Sequence, residues 1–344
     1  MTATSKKSVL PVASPMISLY AAHANALSVL ENRPETMPWL LNRFVQIVCW
    51  QKDWVDYLDF DFRDCPLLDY QRLDKTFIRL KWGDDIVSFV RDAIDGGFYV
   101  SFLVKTRCVP AYIHGGDHCH ELFVYGYDDH AKQLYIADNF DFGRYQRKTC
   151  SFEEAAEGYA KVTEREERTF YGAPQAKGAV QLIRYDGVKS GSVSLSFQPG
   201  LFVESMEDYL SGDMPRAGFN LYDYTPHAYG CKAVYQLAIR NIRELMEDPD
   251  AYFDVRRIHI LWEHKDMMLR RLNYMAGQHM LPAPQIVDRY RELERNLHRA
   301  RATVLKYFFT RDRRMLKEAV DLYASLMESD LEYGYDLLHQ LKSG

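Results

Sequence analysis

At about residue 226 the hydrophobic rhythm of this chain changes, and the change sets what it can fold into. Upstream lie short runs rich in β-branched and aromatic residues: FYVSFLVK (98–105), ELFVYGYD (121–128), QLYIAD (133–138), GAVQLIRY (178–185) and SVSLSFQ (192–198). Such runs, separated by turn residues, read as strands. Downstream the strand signals stop. GCKAVYQLAIRNIRELMED, VRRIHILWEHKDMMLRRLNYM, APQIVDRYRELERNLHRARATVLKYFF and RDRRMLKEAVDLYASLMESDLEYGYDLLHQL carry apolar residues three and four apart. That is the spacing of a helix with one buried face. Asp248-Pro249-Asp250 and Leu281-Pro282-Ala283-Pro284 break the pattern between them. The pattern predicts an antiparallel bundle of about four helices.

The first region has helices too. SLYAAHANALSVLE (18–31) has helical spacing, and GDDIVSFVRDAIDGG (83–97) opens on Asp84-Asp85 and closes on Gly96-Gly97. Ser151 and Glu154 have capping-box spacing and start a helix that should reach about Val162. MPWLLNRFVQIVCWQ reads as a second helix or a buried mixed segment, and residues 53–75 as a long irregular connection. Helices, then strands, then helices predict an α+β fold rather than a doubly wound one. The expected domains are 1–210, α+β, and 211–344, helical.

Charge and cysteine usage exclude several classes. The net charge of -5 argues against nucleic acid as a partner. Cys49, Cys65, Cys108, Cys119, Cys150 and Cys231 include no C-x-x-C pair, so a zinc site or disulfide framework is not expected and a reducing cytoplasm is. Lys6-Lys7 and Ala22-His23-Ala24 loosely imitate a signal peptide, but Pro11 and Pro15 interrupt the apolar part. No apolar run reaches the ~20 residues of a membrane span.

The candidate site lies in HCHELFVYGYDDHAKQLYIADN (118–139). His120 begins one strand and Asp138 ends the next, so the two side chains can meet across a hairpin. A carboxylate there would fix the imidazole tautomer and stabilise its protonated form. Such a pair can activate a thiol or hydroxyl from another element. Cys119 adjoins His120 but must point to the other face. HGGDHCH (114–120) holds three His and one Asp, yet Gly115-Gly116 reads as a loop, and no metal is expected. Tyr112, Tyr125, Tyr127, Tyr222 and Tyr224 could line an aromatic cleft.

The segment HELFVYGYDDHAKQLYIAD resembles the His–strand–Gly-Tyr-Asp–strand–Asp element of papain-like hydrolases of the bacteriocin-processing peptidase type. More closely it resembles the family of the butirosin biosynthesis protein H N-terminal domain, over roughly residues 15 to 165. The resemblance implies a papain-like cysteine-hydrolase-type domain. It also implies acyl transfer from a carrier-protein thioester to an amine, and association with nonribosomal peptide synthesis. That family places its cysteine at the start of the first core helix. Aligning Ala26-Leu27 with the family's Ala-Leu puts Ala22 in that position, so the implied nucleophile is missing. His23, one residue on, is the candidate to join His120 and Asp138. Tyr20, Asn25, Tyr127 and Asn139 are the candidate substrate-binding residues. Cys231, beside Lys232 where a helix begins, is an alternative nucleophile, because a helix N-terminus next to a cation favours thiolate.

Between Gln285 and Lys317 there are ten Lys/Arg and four Asp/Glu. Arg295, Arg299, Arg311 and Arg314 could dock an acidic carrier protein or synthetase module and bind its phosphopantetheine phosphate. A solvated helix face explains the same residues. No cofactor of the chain's own is expected. Two functions stand open. One is an enzyme of secondary metabolism, acting in acyl transfer or amide or thioester cleavage on a small-molecule or peptide substrate. The other is a catalytically inactive papain-like protein that binds an assembly-line domain or its product.

Overall fold

A computed structural model describes residues 6–50, 54–59, 65–113, 116–170, 180–187, 194–213 and 228–343; the side chains of Phe142 and of residues 168–170 are not described. In chain order the elements are β1 (Lys7–Val9), α1 (Ala21–Leu30), α2 (Met37–Leu40), β2 (Ile47–Trp50), β3 (Trp54–Tyr57), β4 (Leu68–Leu73), α3 (Lys75–Trp82), α4 (Ile86–Asp95), β5 (Tyr99–Lys105), β6 (Cys119–Asp128), β7 (Gln133–Asn139), β8 (Tyr145–Ser151), α5 (Phe152–Ala160), α6 (Glu164–Phe170), β9 (Val180–Tyr185), α7 (Pro199–Ser211), β10 (Ala228–Tyr229), α8 (Gly230–Glu247), α9 (Arg256–Gly277), α10 (Ile286–Thr310) and α11 (Arg313–Ser343). The chain is thus mixed α and β, with an antiparallel sheet and C-terminal helices.

Backbone contacts divide it into two units: Met1–Thr36 with Phe60–Leu195, and Met37–Asp59 with Ser196–Gly344. The expected border at residue 210 differs from this. Helix α7 joins the helical unit, and so does the 37–59 stretch, whose β2–β3 hairpin pairs with β10. In place of the irregular connection expected over 53–75 lie β3 and β4. The described part of the 192–198 run is not a strand.

In the first unit the sheet runs β4-β9-β5-β6-β7-β8, all antiparallel, with β1 paired to the far end of β6. One face carries Val100, Phe102, Val104, Leu122, Val124, Leu134, Ile136 and Leu182, packed with Phe89, Val90 and Ile94 of α4 and Ala155 and Tyr159 of α5. The α5 N-terminus is fixed by its capping box: Glu154 N–H donates to Ser151 Oγ (3.0 Å) and Ser151 N–H to Glu154 Oε2 (2.7 Å). Helix α1 belongs to the opposite face. Tyr99 Oη donates to Pro11 O (2.5 Å), Asn139 Nδ2 to Ser18 O (2.8 Å) and Tyr145 Oη to Asn25 Oδ1 (2.8 Å). Residues 23 to 30 of α1 are all buried. Its sequence accordingly carries no polar stripe.

Strand β6 changes partners midway. Its first half pairs with β5 and its end with β1, and a bulge falls between Val124 and Gly126. Gly126 is required there: a Cβ would meet Ser8 O at 2.8 Å and Val9 Cα at 2.9 Å.

The second unit is held by polar groups buried on α9. The Lys265 ammonium and the Asp330 carboxylate have no exposed surface and lie 2.7 Å apart. Tyr209 Oη joins them, accepting from Lys265 Nζ (2.9 Å) and donating to Asp330 Oδ2 (2.9 Å). Arg271, equally buried, donates from Nε to Leu41 O and from Nη2 to Arg43 O, both at 2.6 Å. The imidazole of His264 bonds Val45 O at 2.7 Å. These bonds pull the 37–59 stretch onto α9.

Two outcomes are expected in urea denaturation. Gly126→Ala should destabilise the first unit by roughly 1–3 kcal/mol, because backbone must move to admit the methyl. Asp330→Ala should cost roughly 3–5 kcal/mol, because it strands a buried ammonium.

Candidate functional site

The β6–β7 register puts Phe123 opposite Ala137, so Asp138 lies across from Leu122. His120, two residues along from Leu122, shares that face. The geometry follows. His120 Nδ1 lies 2.6 Å from Asp138 Oδ2, and 3.2 Å from its neighbour's carbonyl, Glu121 O. Asp138 has no exposed surface, whereas the ring keeps 31% of its own. The second carboxylate oxygen, Oδ1, accepts from Asn139 N–H at 2.7 Å.

A third group completes the cluster. Tyr112 Oη donates to the same Oδ2 that His120 holds. Its ring lies against Phe140 (centroids 4.8 Å) and beside His120 (5.8 Å). A short turn delivers it: Tyr112 N–H donates to Val109 O at 3.0 Å. Lys148, on β8, braces that turn through Ala111 O (3.1 Å) and is itself paired with Asp141 (2.8 Å). Sequence reasoning placed Tyr112 among cleft tyrosines but did not connect it to Asp138. Its only signal was a tyrosine on a Pro-led turn eight residues before a strand-opening histidine.

The electrostatics make the pair a cation–anion couple. Burial opposes the charged ring, but the Asp138 charge and hydrogen bond outweigh it and lift the His120 pKa to about 9. Burial, then the Asp138 charge, pushes the Tyr112 phenol well above its ordinary range. At neutral pH the ring is therefore held as the imidazolium and Tyr112 as the neutral phenol.

The remaining candidates fall elsewhere. His23 is 6% exposed on α1, its ring edge-on to Tyr20 at 6.5 Å. The tie from Tyr145 to Asn25 of α1, and those from Tyr99 and Asn139 to the segment just before it, all leave from the sheet face opposite His120. His23 is the sequence candidate to join His120 and Asp138; alternation along β6 instead sets the imidazole on the sheet face of Leu122 and Val124, which packs with α4 and α5. Asn25 and Asn139 act as fasteners. Asn25 receives Tyr145, and Asn139 Nδ2 is shared between Ser18 O and Gly143 O, each at 2.8 Å. Tyr127 is not near the site. It lies seven residues along β6, roughly 23 Å at about 3.3 Å per residue, and donates to Asp95 Oδ1 at 2.9 Å. Tyr125 lies on the other face, tilted against Tyr135. Tyr222, Tyr224 and His114 are outside the described residues.

Cys231 does sit at a helix start, but without exposed surface and 3.5 Å from Asp330 Oδ2. Burial and that carboxylate push its thiol well above the ordinary range, against the pull of Lys265. It belongs to the core of the second unit and is not a thiolate. Cys119 is also raised, by burial first and by Glu166. Arg295, Arg299, Arg311 and Arg314 are all exposed. Arg299 lies 3.6 Å from Glu318 and Arg314 2.8 Å from Asp312. Among the described residues no group of three or more His, Cys, Asp or Glu is arranged to hold a metal ion, and no helix is long and apolar enough to cross a membrane.

No family model and no curated protein matches this chain.

The folded His120 pKa lies above the unfolded value near 6.5. The pair's stabilisation is therefore fully present below about pH 6.5 and lost as pH rises through about 9. NMR titration of the His120 ring should give a midpoint near 9. Asp138→Asn should lower that midpoint well below 9, toward the ordinary imidazole range, since burial is then opposed only by the weaker pull of Glu121.

Proposed function

We propose that the chain is an accessory protein of nonribosomal peptide or related secondary metabolism, built on the papain-like frame of the butirosin biosynthesis protein H family. In this reading it holds a carrier-bound acyl or peptidyl chain and does not cleave it through a cysteine. One observation carries the reading: a partly exposed imidazolium held by a fully buried carboxylate, in a chain with alanine at position 22. A protonated ring donates a hydrogen bond to a carbonyl or carboxylate; it does not accept a proton from a nucleophile. Arg295, Arg299, Arg311 and Arg314 would meet the acidic face of the carrier and its phosphopantetheine phosphate. The free state of all six cysteines suits a cytoplasmic setting.

A second reading has its own support. The contact of 2.6 Å between Nδ1 and a buried carboxylate is the geometry that orients a catalytic base. His120 could then deprotonate an attacking amine, with acyl transfer in one step. With a pKa near 9, only about 1% of the ring is neutral at pH 7, so such turnover would belong to alkaline conditions.

A carrier protein bearing a labelled acyl thioester separates the two. The expected result is binding without acyl release at pH 7, weakened at least tenfold in His120→Ala. Release that climbs toward pH 9 and vanishes in His120→Ala would establish the second reading. Equal binding by both proteins with no release would remove both.

A further inference from the structure

We infer that Tyr112 is a positioning residue of the His120 site, which shares the carboxylate oxygen that holds the imidazole and so sets how strongly the ring keeps its proton. The inference deepens the proposed site but needs no ligand or turnover to be examined.

One carboxylate oxygen accepts two bonds. Asp138 Oδ2 takes a bond from Tyr112 Oη and one from His120 Nδ1, while Oδ1 takes Asn139 N–H. Each donor draws on the same negative charge, so every donor added leaves less of it for the imidazolium. Tyr112 is 8% exposed, and its ring is clasped by Phe140. Removing only the hydroxyl takes this donor away and keeps the ring contacts. The carboxyl group would then keep more of its charge for the imidazole, and the ring would be held more tightly as the cation.

Among the described residues, the titratable groups that act on the ring or on Tyr112 include Asp138 on β7, Glu121 next to His120 on β6, and Cys150 on β8 near Tyr112. The Lys148–Asp141 pair braces the turn from β8. None of these other than Tyr112 donates to Oδ2 alongside His120 in the geometry above. A purely structural tyrosine, holding the turn through its ring, would leave the His120 titration alone when its hydroxyl is removed.

The experiment is Tyr112→Phe in the full chain, with the His120 ring titrated by NMR in the variant and the wild type from about pH 5 to about pH 12. The result expected is a midpoint higher than in the wild type by about half a unit or more. Thermal unfolding at pH 6 should show a lowered midpoint with the fold retained, since a buried carboxyl group loses one hydrogen bond while the ring contacts survive. An unchanged or lowered midpoint in the folded variant overturns the inference. If Tyr112→Phe fails to fold, Phe140→Leu with Tyr112 intact serves instead: it loosens the ring's clasp, so the same upward shift is expected, and a fixed midpoint overturns the inference equally. Neither result depends on whether a carrier protein binds.

Discussion

A carboxylate with no exposed surface must be surrounded by donors, and Asp138 organises the first unit's candidate site on that ground alone. Leaving such a charge unpaired would cost several kcal/mol. The imidazole, the phenol and the Asn139 amide each come from a different local device: a strand start, a Pro-led turn and a strand end. The second unit repeats the arrangement with Asp330, this time closed completely, around Lys265, Tyr209 and Cys231. The two carboxylates differ in one respect. Asp138 holds a partner that still reaches the surface, while every named partner of Asp330 is interior. That difference, more than any residue type, separates a partly open cluster in the first unit from a closed brace in the second.

The hairpin was legible in the sequence because period-two alternation and turn residues are local signals. Strands β5, β6, β7 and β9 and helices α4 and α5 fall where the pattern put them, and the long C-terminal helices announce themselves by spacing. Which face of β6 met which helix was not legible. Parity places His120 with Leu122 and Val124, but only the tertiary ties of Asn139, Tyr145 and Tyr99 reveal that α1 lies on the other side. Tyr112 escaped for a similar reason. A residue on a turn has no periodicity, and its bond to Asp138 spans 26 positions.

The 37–59 stretch shows how tertiary bonds override local reading. WLLNRFVQIV has enough apolar residues for a longer helix, yet only Met37–Leu40 is α-helical. Carbonyls of Leu41, Arg43 and Val45 serve instead as acceptors for Arg271 and His264. Those long-range bonds satisfy the carbonyls of this stretch without a helix. Cys231 is the converse case. Its sequence setting favours thiolate, and an aspartate 99 residues away reverses the sign.

Because residues 37–59 belong with residues 196–344, each unit is assembled from two separated pieces of chain. On a ribosome the early piece emerges long before α9 exists to receive it. Through that interval its β2–β3 hairpin has no β10 edge and its carbonyls no guanidinium. Folding of the helical unit is therefore a late, nonlocal event with a large closure entropy, and no single cut in the chain releases either unit whole.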